Sequence, residues 1–272
     1  MRIARGISIA NASKPLSTAA AFDADALAYF TANTAITSTS DKNAINTFYL
    51  GLKSDGIYTK IKAMYLPLWG SAATCKWNMK DPRDLDVAYR LNFTTGWTYS
   101  SSGLSPLNAS AQTYFNPNTN GSLDSNHISY YSRTNSNGTE IEIGSNNSGG
   151  NPISFLEIRT AGTTYGGINQ SGFISASDSN SQGFYIASRT SSSAVKIIKN
   201  GSVFANAGTL TSTSKTPSNI SIGALFTGGG YLYYTTKQCA FSSIGDGLTD
   251  AESANFSNRV NTLLTYFGIN IY

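Results

Sequence analysis

The chain is predicted to be an all-β protein, an antiparallel β-sandwich with short N-terminal helices and one C-terminal amphipathic helix. Three observations predict this. From about Tyr58 to Ser243, strand-length apolar runs recur roughly every 10 to 15 residues, with no helical pattern between them. Clusters of Asn, Gly and Ser separate these runs, and Asn200-Gly201 joins Val195–Lys199 to Ser202–Asn206. Asn-Gly suits a two-residue hairpin because both residues tolerate positive φ. Finally, Ser, Thr, Asn and Gly make up about 43% of the 272 residues, a mixture that favours extended strands and tight turns.

Residues 1–21 read as an extended arm, in which Arg2, Arg5 and Lys14 interrupt a weak alternation of Ile3, Ile7 and Ile9. Such an arm is either disordered or held against a partner, and is a candidate anchor. A helical segment follows over residues 22–57. Asp23 can cap a first helix through Leu27 and Phe30, and Ser40 or Asp41 a second, in which Ile45, Phe48, Tyr49 and Leu52 share one face before Gly56 ends it. Residues 58–272 hold the sandwich and its last helix. Strands are expected at His127–Arg133, Ile153–Thr160 and Phe184–Arg189. Further alternation occurs at Ile141 and Ile143 and along Ile220, Ile222, Ala224 and Phe226. The final helix is the most sharply marked. Thr249 and Glu252 form a capping box, Phe256, Val260, Leu263, Leu264 and Phe267 form one stripe, and Gly268 supplies the stop.

Charged residues are only 12% of the chain, and the net charge of +4 is not gathered into any basic run. A nucleic-acid binder needs a concentrated cationic face to displace counterions, so that class is excluded. Cys75 and Cys239 match no metal spacing, and two buried reduced thiols are expected in preference to one long-range disulfide. With His127 as the single histidine, multi-imidazole zinc sites are excluded, and any Ser-His-Asp triad must run through it. The apolar run within Met1–Leu16 is too short for a signal-peptide core, and no stretch approaches membrane-spanning length. No cofactor is expected.

The segment Ala240–Glu252 runs Phe241-Ser242-Ser243-Ile244-Gly245-Asp246-Gly247-Leu248-Thr249-Asp250 into the amphipathic helix. It resembles the end of the concanavalin A/laminin-G-like domains of bacteriophage virion structural proteins. Val195–Ser202 is similar to their Asn-Gly hairpin, and Asn219–Ala224 to their penultimate strand. Ala44–Asn46 through Leu52–Tyr58 is similar to the helix before the sandwich, and Asn78–Pro82 to a strand-ending turn. The resemblance spans about residues 22–270. It implies a lectin-like jelly roll displayed on a particle surface as a head fibre, decoration or tail-fibre component. Such a protein would be made in the host cytoplasm, held to other virion proteins through the arm, and assembled as a homo-oligomer of two or three chains. Many members bind glycans on a concave sheet or at loop tips, whereas others bind nothing known. No calcium cluster or sugar-binding Asp-Asn pair of the family is matched, so the resemblance carries fold and not site. A secreted bacterial carbohydrate-binding module is the alternative reading, and a polysaccharide depolymerase a more remote one.

The chain is expected not to be an enzyme. Glycoside hydrolases on this fold need two carboxylates flanking the bond, and the laminarinase-like pattern Glu-x-Asp-x-(x)-Glu is approached only by Glu140-Ile141-Glu142, which lacks the third acid. With both isoleucines turned inward, the two glutamates are expected on a solvated strand face. His127 is expected to be a strand-end residue making one hydrogen bond. The candidate glycan platform is Tyr231 and Tyr233, which follow Gly228–Gly230 and flank an inward-facing Leu232. Tyr130, Tyr131 and Arg133 form a second, weaker patch. Aromatic faces stack on sugar rings while their hydroxyls offer hydrogen bonds. Trp69, Trp77 and Trp97 are expected to be core anchors.

Overall fold

The computed structural model describes residues 21–206 and 208–272, and the arm proposed for residues 1–21 lies, apart from Ala21, outside them. The expected sandwich is present. One sheet runs, in spatial order, Ser202–Asn206, Val195–Lys199, Gly183–Arg189, Asn126–Ser132, Cys239–Gly245, Gly103–Pro106 and Trp97–Ser100, with Ile61–Tyr65 also pairing with Cys239–Gly245. The other runs Ile174–Ser177, Thr163–Gln170, Ile153–Thr160, Ile143–Asn146, Ser221–Ile222, Ala111–Gln112 and Asn92–Phe93. Leu225–Phe226 adds beside Ile143–Asn146, and Tyr231–Leu232 pairs with Leu225–Phe226. The pairings are antiparallel except that between Leu225–Phe226 and Ile143–Asn146.

Local chemistry accounts for the elements. Val195–Lys199 and Ser202–Asn206 pair around Asn200 and Gly201, whose φ values of 52° and 83° meet the demand of the turn. Ile220–Phe226 does not form one strand as its alternation predicts. Gly223, at φ 90°, breaks it into two short pieces, and a Cβ there would meet the Ala109 carbonyl oxygen at 2.7 Å. Asp23 caps the first helix, Ala24–Ala32. The second, Thr39–Ser54, begins two residues before its expected start because Ser38 receives the Asp41 amide. The capping box of Thr249 and Glu252 opens the last helix, Asp250–Tyr266.

Two apolar layers result. Between the sheets lie Ile128, Tyr130, Tyr185, Ile197, Ile168 and Leu156, among others. The opposite face of the first sheet presents Tyr131, Phe184 and Phe241, which the helices cover. Phe256 from the last helix meets Phe184 at 5.5 Å and Phe241 at 5.9 Å between ring centroids, and Phe48 from the second helix meets Phe241 at 5.8 Å. The helical segment therefore shares a core with the sandwich. Trp97 lies buried between the sheets, whereas Trp69 and Trp77 are half-buried at the edge of the helical layer. Cys75 and Cys239 are both free and buried. Arg189 is fully buried, its guanidinium donating to the carbonyl oxygens of Ile168, Ser191, Ser192 and Leu210 and to the Gln170 side chain. Carbonyl dipoles thus carry this charge in place of a carboxylate.

Because Phe256 joins the helix to the sheet, Phe256→Ala is expected to cost about 3–5 kcal/mol. The half-exposed Tyr266→Ala on the same helix should cost less than about 1 kcal/mol. Denaturant unfolding midpoints of the two variants check this.

Candidate functional site: a groove on the uncovered sheet

Helices cover one outer face of the sandwich, and the outer face of the second sheet holds a groove of about 450 Å³. Its floor follows from strand alternation. On Ile153–Thr160, Ser154, Leu156 and Ile158 point between the sheets, so Ile153, Phe155 and Glu157 point outward. Ile141 and Leu225 join Ile153 and Phe155 in a small separate apolar cluster, with Tyr165 packed against it. Phe173 stands at the rim, 56% exposed, edge-on to Tyr165 at 5.1 Å. Tyr233, 51% exposed, forms the opposing wall, and its carbonyl oxygen accepts the Ile141 amide at 2.8 Å. Asn146, Asn151 and Thr139 add polar groups to the lining.

Glu157 is the one charged side chain lining the groove among the described residues. Burial raises its pKa, and this outweighs the opposing effects of the Thr160 hydroxyl, which donates to it at 2.7 Å, and of the Lys237 charge. Arg159, two residues on, is turned to the Asn135 side chain.

The groove wall is fastened from behind by a buried ion cluster. Lys237 is fully enclosed, and its Nζ lies 2.8 Å from Glu140 and 3.0 Å from Glu142. Glu142 also accepts the Ile158 amide and the Thr235 hydroxyl, while Glu140 accepts the Thr236 amide and hydroxyl. Tyr130 of the other sheet donates its hydroxyl to the Lys237 carbonyl at 2.6 Å. The strand face expected to be solvated is therefore corrected: Glu142 points inward, because a lysine 95 residues away supplies its counter-charge. One cation faces two carboxylates, and they divide accordingly. Burial works against the Glu140 anion, yet Lys237 and the Thr236 amide hold its pKa below the ordinary value. For Glu142 burial prevails over Lys237 and the Ile158 amide and pushes the pKa up to about 7. Burial also works against the Lys237 charge, but the two carboxylates raise its pKa.

Of the sequence-predicted residues, Tyr233 reaches the groove. Tyr231 is half-buried on the neighbouring hairpin strand, outside the groove lining, near Phe226 at 5.0 Å and Tyr234 at 6.5 Å. Leu232, expected to point inward between them, is instead 51% exposed, since its two-residue strand sits at the sheet margin. The second patch is corrected. Tyr130 lies fully buried between the sheets, and Tyr131 beneath the helical layer, stacked on Phe184 and Tyr272. Arg133 donates to the Ile269 carbonyl at 2.9 Å and the Gln238 side chain at 2.6 Å, which ties down the C-terminal tail. Phe155, Phe173, Glu157 and Ile141 were missed. The available signal was Phe155 and Glu157 at alternate positions of a correctly placed strand.

His127 makes two hydrogen bonds where one was expected. Its Nδ1 donates to the Asp246 carbonyl at 2.7 Å, and its Nε2 accepts from Ser243 at 3.0 Å. The ring and the two serines hydrogen-bonded in series with it, Ser243 and Ser129, are fully buried, so this Ser–His contact has no access to a substrate. Burial lowers the His127 pKa to about 4, and the Asp246 carbonyl only partly offsets it. Among the described residues no group of three or more His, Cys, Asp or Glu gathers as a metal site, and no helix is long and apolar enough to cross a membrane.

No protein-family model matches the sequence, and no curated protein matches it. Solved structures do share the fold. Trypanosoma rangeli sialidase aligns at 9% identity and a TM-score of 0.50, over 81% of this chain and 40% of its own. Domain 4 of AbnA, an extracellular arabinanase of Geobacillus stearothermophilus solved with arabinotriose, aligns at 11% identity and 0.47, over 73% and 98%. The sialidase CBM40 of Ruminococcus gnavus aligns at 15% and 0.38, over 53% and 91%. The chain thus spans two-fifths of the T. rangeli enzyme, and at 9% identity that likeness is one of fold alone.

Two buried groups give opposite pH signatures. The unfolded chain binds a proton at His127 near pH 6.5 and the fold does not until about 4, so this residue withdraws stability as pH falls through that window, by up to about 3 kcal/mol. Glu142 holds its proton in the fold up to about 7 but releases it near 4.5 when unfolded, so its contribution is lost as pH rises from 4.5 to 7. Glu142→Gln should therefore abolish a stability decline between pH 5 and 7.5, read as the difference from the parent in denaturant unfolding. Lys237→Met should lose about 3–5 kcal/mol at pH 7.5, because it strands the two glutamates.

Proposed function

We propose that the protein is a non-enzymatic glycan-binding β-sandwich displayed on a bacteriophage particle. The observation that carries the binding reading is the groove on the sheet face that the helices leave open. An apolar floor of Phe155, Ile153, Ile141 and Leu225 lies between two exposed rings, Phe173 and Tyr233, with amide and hydroxyl groups at its margin. Sugar rings present apolar C–H faces and a polar edge, and such a surface answers both. The particle setting is supported by the resemblance of Phe241–Asp250 and its following helix to phage virion domains. Low charge suits the role, because ionic attraction would hold a particle to surfaces indiscriminately. Single grooves of this size bind weakly, and many copies per particle raise avidity. Homo-oligomers and an N-terminal attachment to other virion proteins belong to the same proposal.

Glycan-array binding of the multimerised protein tests the binding reading. Tyr233→Ala and Phe173→Ala are each expected to reduce binding about tenfold or more while leaving the unfolding free energy within about 0.5 kcal/mol of the parent. Array binding that survives both substitutions would place the ligand elsewhere. Mass spectrometry of purified particles with immunogold labelling tests the location, and absence from the particle would remove it.

A further inference from the structure

The groove's charge and shape narrow its ligand, given the glycan-binding reading on which this inference rests. We propose that the groove selects an uncharged, N-acetylated sugar and rejects acidic ones. Three observations carry this. First, no lysine, arginine or histidine lines the groove among the described residues. The nearest buried cation, Lys237, is consumed by Glu140 and Glu142, and Arg159 is turned to Asn135. A sugar carboxylate, as in sialic or uronic acids, would enter without a counter-charge and face Glu157, which is costly in a partly desolvated site. Second, the floor is aliphatic and aromatic at its deepest point, where Ile141, Ile153, Phe155 and Leu225 are all buried. A hydroxyl placed there would lose its water without gaining a partner, whereas a methyl group would be favoured. Third, the Glu157 carboxyl lies within the same lining, where burial raises its pKa and its contact from Thr160 engages one oxygen. The other oxygen takes no hydrogen bond from the described residues and is open to a donor on the ligand. An acetamido group supplies both features, a methyl for the floor and an N–H for Glu157.

The test compares four tetrasaccharide-length probes by titration calorimetry at pH 7. These are an N-acetylglucosamine oligomer, the matching glucose oligomer, the deacetylated glucosamine oligomer and a sialylated oligosaccharide. The acetylated probe is expected to bind at least about tenfold more tightly than the glucose and sialylated probes, and more tightly than the glucosamine one, whose ammonium meets Glu157 but which brings no methyl to the floor. Glu157→Gln, which keeps the shape of the groove, is expected to recover part of the sialylated probe's deficit, narrowing the gap several-fold. Binding of the glucose probe as tight as the acetylated one, and dependent on Tyr233, would overturn this inference and leave the groove a glycan site. Preference for the sialylated or the glucosamine probe would overturn it likewise. Failure of every probe, together with an array on which nothing binds, would remove the glycan reading and this inference with it.

Discussion

A lysine ammonium sealed from water between two glutamates holds together the part of the molecule that matters for binding. Lys237 lies where the chain leaves the outer hairpin of one sheet to enter strand Cys239–Gly245 of the other, and its carbonyl is tied to Tyr130 across the core. Glu140 and Glu142 come from the run leading into Ile143–Asn146. Neutralising that charge forces residues 139–142 alongside residues 233–237, and Ile141 and Tyr233 are joined there by a backbone hydrogen bond. An unpaired buried charge costs several kcal/mol, so the two segments cannot separate cheaply. The groove wall is the outward consequence of that closure.

The same division of labour runs through the sandwich. Helices bury one outer face under Phe256, Phe48 and their neighbours, which leaves the other sheet free to present side chains outward. The open face is apolar where the groove is and polar around it. The uncancelled carboxyl of Glu157 gives it a negative character that the chain's overall positive charge does not suggest. Local electrostatics and net charge are separate properties here, because most of the lysines and arginines near the site are occupied by internal partners.

Much of the fold was legible because it is written in short-range chemistry. Asn200-Gly201, the Thr249–Glu252 box and the Phe256 stripe each specify their own geometry within a few residues. The site was less legible for two physical reasons. Strand Asn126–Ser132 is buried on both faces, so Tyr130 and Tyr131 give no solvent-facing alternation and look like a surface aromatic pair. Glu142 is buried by a partner distant in sequence, and nothing in Glu140-Ile141-Glu142 announces Lys237. Tyr233 was found as one of two tyrosines flanking Leu232 after Gly228–Gly230, although Leu232 itself is exposed, whereas Phe155 and Glu157 became visible once the strand's two faces had been assigned.

The sealed charge cluster is tested most directly by a ¹³C-carboxyl NMR titration of the intact protein. One glutamate is predicted to titrate near pH 7 and to vanish in Glu142→Gln, with the amides of Ile141 and Tyr233 shifting at the same midpoint. Glutamates that all titrate at ordinary carboxylate values, with those two amides unmoved, would mean that the cluster is open to water and does not shape the groove.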